Sequence, residues 1–234
     1  MDLPILECRN LSKSYGQSDL ALNNFSIALP KGKVIGLLGP NGSGKTTLIK
    51  LTAGLLTPTS GELFVGGMPV GVETKRIVSY LPERTYFDPG MRVEETIQYF
   101  EDFYEDFSVD KARAMLEDLG VPMDKKMKAL SKGTKEKVQL VLVMSRDAQL
   151  YLLDEPIGGV DPATRDYILN TIVSNYNQSS TVIISTHLIS DVEKVLDEFM
   201  FIHNGALVMY NSADNVREEL GKGIDELFRE VFRC

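Results

Sequence analysis

The sequence predicts an α/β protein built on a mainly parallel sheet, and three observations support this prediction. A short apolar strand at Val34–Leu38 runs into a glycine-rich loop and then a helix. Two more apolar runs, at residues 150–155 and 181–187, end in polar residues, as buried parallel strands do beside a ligand site. Residues 92–148 show a helical pattern and no strand pattern. We therefore expect a helical segment inserted into an α/β core.

The loop after the first strand is Gly39-Pro-Asn-Gly-Ser-Gly-Lys-Thr-Thr47, which satisfies the phosphate-loop spacing G-x-x-x-x-G-K-[ST]. Glycines let such a loop fold tightly, so backbone N–H groups and the start of the next helix, predicted at residues 47–53, converge on one small volume. A di- or triphosphate fills that volume. Lys45 is expected to reach the β- and γ-phosphates, and the Thr46 hydroxyl to hold Mg²⁺. A turn that binds nothing is the alternative, and the complete spacing argues against it. The expected nucleotide contacts in the loop are Gly39, Asn41, Gly42, Ser43, Gly44, Lys45, Thr46 and Thr47.

The composition excludes several classes of protein. Among 234 residues, 43% are hydrophobic and 25% are charged, which is ordinary for a folded protein. No apolar run approaches the ~20 residues that cross a bilayer, and the start lacks a signal-peptide pattern, so we expect a cytoplasmic chain. A formal net charge of −8 argues against a general nucleic-acid-binding surface. Cys8 and Cys234 show no metal-ligand spacing and are expected to be reduced thiols.

The N-terminal part is predicted to be antiparallel. Residues 3–8 and Leu20–Leu29 are expected to pair around a loop that carries Tyr15 and Gly16. The Tyr15 ring is either turn packing or a platform that stacks on an adenine base. Residues 61–66 and 77–81 are predicted to be further strands, the second leading to Pro82-Glu83-Arg84.

The helical segment carries apolar side chains three or four residues apart, which are expected on one side of a single helix. They face either the core of a helical lobe or a groove for a partner. These residues are Val93, Ile97, Phe100, Tyr104 and Phe107.

Ser131 is a candidate N-cap for the last helix of that segment, which we expect to continue to Arg146.

Acidic and imidazole side chains follow the two later apolar strands. The run at residues 150–155 ends in Asp154-Glu155, and neighbouring strand side chains point in opposite senses. The two acids are therefore expected to face the metal and the γ-phosphate respectively. His187 lies beyond the next strand and is either a structural side chain or a phosphate contact.

The remaining chain is predicted to contain a helix, a hairpin and two short helices. The helix covers residues 164–176, and the hairpin pairs Glu198–His203 with residues 206–210 through Asn204-Gly205. His203 is expected to be only a turn residue. The two short helices follow Ala213.

Taken in order, these motifs resemble those of the ATP-binding cassette ATPases, the nucleotide-binding subunits of ABC transporters, over about residues 3–211. The matching positions are Tyr15 for the adenine-stacking aromatic, residues 39–46 for the phosphate loop, residues 130–134 for the signature motif, residues 150–155 for the second phosphate-site motif with the catalytic glutamate, residues 159–161 for the D-loop, and His187 for the switch histidine.

The resemblance implies a P-loop NTPase (RecA-like) core with an N-terminal antiparallel β-subdomain and an inserted α-helical subdomain. One ABC ATPase domain would then span residues 1–234. Its parts would be the core with its β-subdomain at 1–91 and 149–211, the helical subdomain at 92–148, and a C-terminal helical extension at 212–234.

The resemblance also implies ATP and Mg²⁺ as cofactors and a second ABC ATPase subunit as partner, packed head to tail around two ATP molecules. Asp154, Thr46 and Glu83 would support the metal. Glu155 would orient or deprotonate the attacking water, while His187 and Lys45 hold the γ-phosphate. The residues that would touch the partner's nucleotide are Ser131, Lys132 and Gly133.

Two positions depart from the family pattern. The usual signature is L-S-G-G-Q, but Lys132 replaces its first glycine and Thr134 its glutamine. Glu83 stands where the family has the Q-loop glutamine, and a carboxylate ligates Mg²⁺ at least as well as an amide oxygen. Nucleotide binding is therefore expected to survive the change at Glu83. Lys132 either adds charge attraction for the partner's γ-phosphate or removes a position of close backbone approach.

The expected function is an ATPase subunit that drives a separate membrane permease, peripheral on the inner face of the cell membrane. It most resembles the single-domain ATPases of bacterial export systems for drugs and antimicrobial peptides. One alternative is a soluble ABC ATPase that acts on a protein assembly, on ribosomes or on DNA, although nucleic acid is not the expected partner. Another is a nucleotide-gated module with low turnover.

Overall fold

The computed structural model describes residues 3–16 and 20–232. Within these residues the strands are β1 Leu6–Ser14, β2 Leu20–Leu29, β3 Val34–Leu38, β4 Ser60–Val65, β5 Met68–Pro69, β6 Val78–Leu81, β7 Leu150–Asp154, β8 Thr181–Thr186, β9 Glu198–His203 and β10 Ala206–Ser212. The helices are α1 Lys45–Thr52, α2 Val72–Ile77, α3 Val93–Phe103, α4 Val109–Asp118, α5 Lys132–Met144, α6 Pro162–Asn175, α7 Ile189–Val192, α8 Ala213–Leu220 and α9 Ile224–Phe232.

The first sheet is antiparallel and has the order β2-β1-β4-β5. The predicted pairing of the first two strands is confirmed, with Leu6 opposite Leu29. β1 is longer than predicted because register shifts after Cys8 let the pairing continue to Ser14. Ile77 was predicted to begin a strand but instead ends α2, a helix that the sequence analysis missed.

The second sheet has the order β10-β9-β3-β8-β7-β6 and is parallel except for β10. Its central strands β3, β7 and β8 are buried along their whole length, as expected for apolar strands covered on both faces. Register aligns Leu38 with Thr186, and Asp154 with Ser185. The carboxyl ends of these three strands therefore meet at one edge of the sheet.

Two hydrophobic clusters cover the two faces of this sheet. Side chains alternate along β3, so Val34 and Leu38 join one cluster while Ile35 and Leu37 join the other. The second cluster also holds α1 and the antiparallel sheet, and α1 contacts β2, β4 and β7. The first cluster continues into α3, α4 and α5. The inserted helices thus share a core with the sheet, while the division of the chain into subdomains at residues 92–148 and 212–234 stays a prediction.

The prediction of one long helix from Val93 to Phe107 was wrong. α3 ends at Phe103, and Tyr104 adopts an extended conformation. Phe107 instead forms a bridge with Arg146. The rings of Tyr104 and Phe107 still lie 5.3 and 5.5 Å from Phe100, so aromatic packing continues where the helix has stopped. Val93 and Phe100 are buried, which favours the core-facing interpretation.

The end of the chain folds as predicted, into a hairpin and two helices. Asn204 and Gly205 both have positive φ, as a two-residue hairpin turn between β9 and β10 requires. His203 is exposed at the end of β9, with its ring 5.4 Å from Phe232. Cys8 is a buried free thiol, and Cys234 lies outside the described residues.

The longest helix among the described residues has 14 residues. No helix in this part of the chain is both long and apolar enough to cross a membrane.

Candidate functional site

An open cavity of about 1010 Å³ lies beyond the carboxyl ends of the parallel strands. Most of the residues predicted from sequence line it, although they come from distant parts of the chain. The predicted lining residues are Tyr15, Asn41, Gly42, Ser43, Gly44, Lys45, Thr46, Thr47, Glu83, Lys132, Glu155 and His187. The lining residues that were not predicted to contact nucleotide or metal are Leu20, Ala21, Arg84, Thr85, Glu136, Gly158 and Gly159, the last of which was assigned to the D-loop.

The loop between β3 and α1 has glycines where no other residue fits. Gly44 has a φ of 108°, and a Cβ atom added there would lie 2.4 Å from the Ala21 carbonyl oxygen. A Cβ atom at Gly39 would lie 2.3 Å from the Ile202 carbonyl oxygen. Gly39 itself does not line the cavity; it allows the loop to approach β9 closely. The loop therefore has the tight path that presents backbone N–H groups at the start of α1.

Lys45 is held against its own loop. Its ammonium donates to the carbonyl oxygens of Gly39 and Pro40, at 2.8 and 3.1 Å. Glu155 Oε1 lies 3.8 Å from the same nitrogen. Burial lowers the pKa of Lys45, and the charges of Glu155 and Asp154 oppose that shift. The cation is thus positioned in the loop by two carbonyls and one carboxylate.

Asp154 ends β7 beneath the loop. Its Oδ1 accepts hydrogen bonds from Thr46 Oγ1 at 3.1 Å and from Ser185 Oγ at 2.6 Å. Its Oδ2 is buried and has no hydrogen-bond partner among the described residues. Burial raises the pKa of Asp154, the two hydroxyls lower it, and the charges of Glu155 and Glu83 raise it further. An unpaired buried carboxylate oxygen beside a hydroxyl is a set of hard oxygen ligands.

These residues fit a Mg²⁺ ion that takes most of its ligands from phosphate and water. Within residues 3–16 and 20–232, no group of three or more His, Cys, Asp or Glu side chains is arranged to hold a metal by itself. A hydroxyl and one carboxylate are what a phosphate-bound Mg²⁺ needs from a protein.

Glu155 lies directly beyond Asp154 but faces the cavity. Its φ of 50° is unusual for a residue other than glycine, and its N–H is held by Ser185, which fixes the turn. Both carboxylate oxygens lie 3.1 Å from His187 Nδ1. The carboxylate therefore lies between Lys45 of the phosphate loop and His187 beyond β8.

Tyr15 also lines the cavity. Its hydroxyl is 3.3 Å from Thr47 Oγ1, and Lys13 Nζ is 5.6 Å from the ring centroid. Tyr15 is 56% exposed, so a flat ligand can reach it. Leu20 and Ala21 line the cavity as well, and their position at the start of a predicted strand gave no signal of this role.

The residues at the start of α5 have two different roles: Ser131 caps the helix, and Lys132 lines the cavity. Ser131 Oγ accepts from Thr134 N at 3.2 Å, so Ser131 caps α5 as expected. Ser131 and Gly133 do not line the cavity, but Lys132 does. Lys132 Nζ is 3.7 Å from Glu136 Oε1 and lies beside Gly159. Glu136 was missed, although its position four residues after Lys132 places both on one helix face.

Comparisons with known proteins agree with this geometry. The family described as "ABC transporter" matches residues 22–158, more than half of the chain. An uncharacterized ABC transporter ATP-binding protein of Synechocystis sp. is 31% identical over 91% of this chain, which spans 64% of that relative. The SkfA peptide export ATP-binding protein SkfE of Bacillus subtilis is 30% identical over 88% of both chains.

A solved structure described as the ATP-binding subunit of an ABC transporter is 27% identical, with a TM-score of 0.85. The similarity covers 97% of this chain and 99% of the other.

Proposed function

We propose that this chain, which belongs to the ABC transporter family as an ATP-hydrolysing subunit, binds Mg·ATP in the cavity and drives a separate membrane permease from the cytoplasmic face. One observation carries the proposal. The phosphate loop, the pair Asp154 and Glu155, and His187 come from three separate segments and meet at one edge of the sheet. Ligands of parallel sheets bind at this edge.

The loop amides and Lys45 bind the β- and γ-phosphates. Lys45 is already oriented by carbonyl oxygens and by Glu155, so its ammonium needs only a short movement to reach a phosphate. Thr46 and Asp154 would hold Mg²⁺, which would neutralise charge on the transferring phosphoryl group. Glu83, which also lines the cavity, is a further candidate ligand for this ion.

Glu155 orients the attacking water and accepts its proton. It is the carboxylate that lies between the phosphate-loop lysine and a ring nitrogen, and it is only 13% exposed. His187 holds the Glu155 carboxylate and is positioned to contact the γ-phosphate. A general base positioned at the nucleophile contributes typically about 10²–10⁴-fold to a rate.

The second cassette completes the site. Lys132 is 74% exposed and paired with Glu136, so its side chain is available to a nucleotide held by a partner chain as well as to its own cavity. We assign Ser131, Lys132 and Gly133 to the contact with the partner's nucleotide. The charge of Lys132 there replaces the close backbone approach that a glycine gives.

Asp154→Asn is expected to stabilise the nucleotide-free chain at neutral pH, because it removes a buried charge whose pKa is raised by burial. The unfolded carboxyl, with a pKa of about 3.9, loses its proton first as pH rises. Stability therefore falls as pH rises from that value towards the raised folded pKa. Thermal unfolding measured at several pH values should show a smaller fall of stability with rising pH in the variant than in the wild type.

The same variant should lose the extra thermal stabilisation that Mg²⁺ gives to the ATP-bound chain, since a neutral amide is a poorer Mg²⁺ ligand. A variant that unfolds at a lower temperature without nucleotide, and still responds to Mg²⁺, would show that Asp154 is structural.

The permease partner is tested by affinity isolation of the tagged chain from detergent-solubilised membranes. We propose an export system, because SkfE is named for peptide export.

The helical segment and the Glu83 loop present exposed rings at Tyr86, Tyr99 and Phe103, which suit a short helix of the permease. A polytopic membrane protein should co-purify with the chain, and Phe103→Asp should release it. The control is Val208→Asp, on strand β10 at the opposite edge of the sheet. Recovery of ribosomes or DNA instead would contradict the proposal.

A further inference from the structure

We propose that Gln139 is a positioning residue for Glu83, through which helix α5 fixes the loop that brings Glu83 to the nucleotide cavity. The inference rests on the function proposed above and adds a residue to its machinery that no motif in the chain includes.

Gln139 is a polar side chain in an apolar stretch of α5. It is 3% exposed, and its neighbours Val138, Leu140, Val141 and Leu142 are all buried. Burying an amide costs free energy unless it forms hydrogen bonds. Its Nε2 donates to the Pro82 carbonyl oxygen at 3.1 Å. Hydrophobic packing alone would be better served by a leucine, so the hydrogen bond is the reason for a glutamine here.

Pro82 begins the loop that carries Glu83, and Gln139 holds that beginning. In the described part of the chain, no other hydrogen bond reaches residues 82–87. The loop is fixed next at Phe87, whose ring is buried against the core and lies 6.1 Å from Phe100. Between these two points Glu83 is exposed and lines the cavity. The Gln139 amide therefore sets the direction in which the chain enters the cavity wall.

The same face of α5 also touches the cavity directly. Lys132, Glu136, Gln139 and Val143 follow one another at spacings of four, three and four residues, which places them along one stripe of the helix. Lys132 and Glu136 line the cavity, and Gln139 holds the loop one turn further on. One rigid helix thus connects both of these walls of the site.

The chain contains a matched control for this contact. Ser79 Oγ donates to the Val143 carbonyl oxygen at 2.9 Å, so a second buried hydrogen bond joins β6 to the same helix. The hydrogen bond between Ser79 and Val143 does not involve Pro82 or the rest of the Glu83 loop. Ser79→Ala removes a tether of α5 without releasing the Glu83 loop.

NMR relaxation of the nucleotide-free chain tests the positioning directly, with Gln139→Met as the variant. Methionine keeps the length and helix propensity of the side chain and removes the donor. The backbone order parameters of residues 83–86 should fall below about 0.6 in Gln139→Met and stay at the wild-type value in Ser79→Ala. Unchanged order parameters in Gln139→Met, or an equal fall in both variants, would overturn the proposal.

A double-mutant cycle with Glu83→Ala tests the consequence for Mg²⁺. Residues that support a metal ligand typically cost 10–100-fold in metal affinity or activity when changed. Gln139→Met should raise the Mg²⁺ concentration for half-maximal hydrolysis about tenfold, while the KM for ATP at saturating Mg²⁺ changes less than threefold. The effect of Gln139→Met on the Mg²⁺ requirement should disappear in the Glu83→Ala background, since each change removes the contact between Glu83 and Mg²⁺. Additive effects would refute the role. Failure of the wild-type chain to bind and hydrolyse Mg·ATP would instead refute the proposed function and leave the order-parameter result standing.

Discussion

Glu155→Gln is expected to abolish steady-state ATP hydrolysis and to leave Mg·ATP binding intact or tighter. Glutamine has the same shape, so the turn at φ 50° and the contact to His187 are kept. It accepts no proton from water, and that loss corresponds to about 10²–10⁴-fold in kcat. The change also removes the negative charge 3.8 Å from Lys45 Nζ, which frees the ammonium for phosphate.

The measurement is phosphate release over many turnovers, with nucleotide affinity determined on the same preparation. Glu73→Gln, an exposed carboxylate on α2, is the control and should hydrolyse ATP at the wild-type rate. A Glu155→Gln chain that keeps more than a tenth of the wild-type kcat would exclude Glu155 as the base.

Arg146 is the buried cation that joins the helical segment to the sheet, and it is only 3% exposed. Its guanidinium pairs with both carboxylate oxygens of Asp106, at 2.9 and 3.1 Å. It also donates to the carbonyl oxygens of Val78 and Arg76, at 2.6 and 2.7 Å. The Tyr104 ring lies 3.9 Å from the guanidinium carbon. One side chain therefore ties the end of α5 to α2, to β6 and to the segment after α3.

Arg146→Met is expected to lower the free energy of unfolding by about 3–5 kcal/mol, because it leaves the Asp106 carboxylate and two carbonyl groups without their partner. Urea unfolding followed by circular dichroism measures this loss. Arg113→Met is the matched control, since Arg113 pairs with Glu94 on the surface and its loss should leave the free energy of unfolding nearly unchanged. A loss below 1 kcal/mol in Arg146→Met would mean that the guanidinium does not hold the helical segment.

Local signals were sufficient for much of the fold. β3 was predicted with its exact bounds because five apolar residues precede a glycine-rich loop. The start of α5 was predicted from the Ser131 cap, a contact between residues three positions apart. The end of α3 was predicted wrongly because the apolar spacing continues through Tyr104, whose ring is held by Arg146 from the segment after α5.

The candidate site could be predicted where its residues stand in motifs, and not where they act through distant contacts. Asp154 and Glu155 follow an apolar strand, so their position at the sheet edge was expected. Gln139 and Arg146 looked like ordinary helix residues. Their roles depend on carbonyl groups 57 and 68 positions away in the chain, which no local pattern reveals.

Titration calorimetry of the folded chain with ATP, with and without Mg²⁺, tests most directly whether the phosphate loop and Asp154 hold one metal-bound triphosphate. We expect one nucleotide per chain, a clear heat of association that is larger with Mg²⁺, and loss of that heat in Lys45→Met. A chain that is folded by circular dichroism yet gives no heat with Mg·ATP, or that binds it equally well without the Lys45 ammonium, would contradict the account.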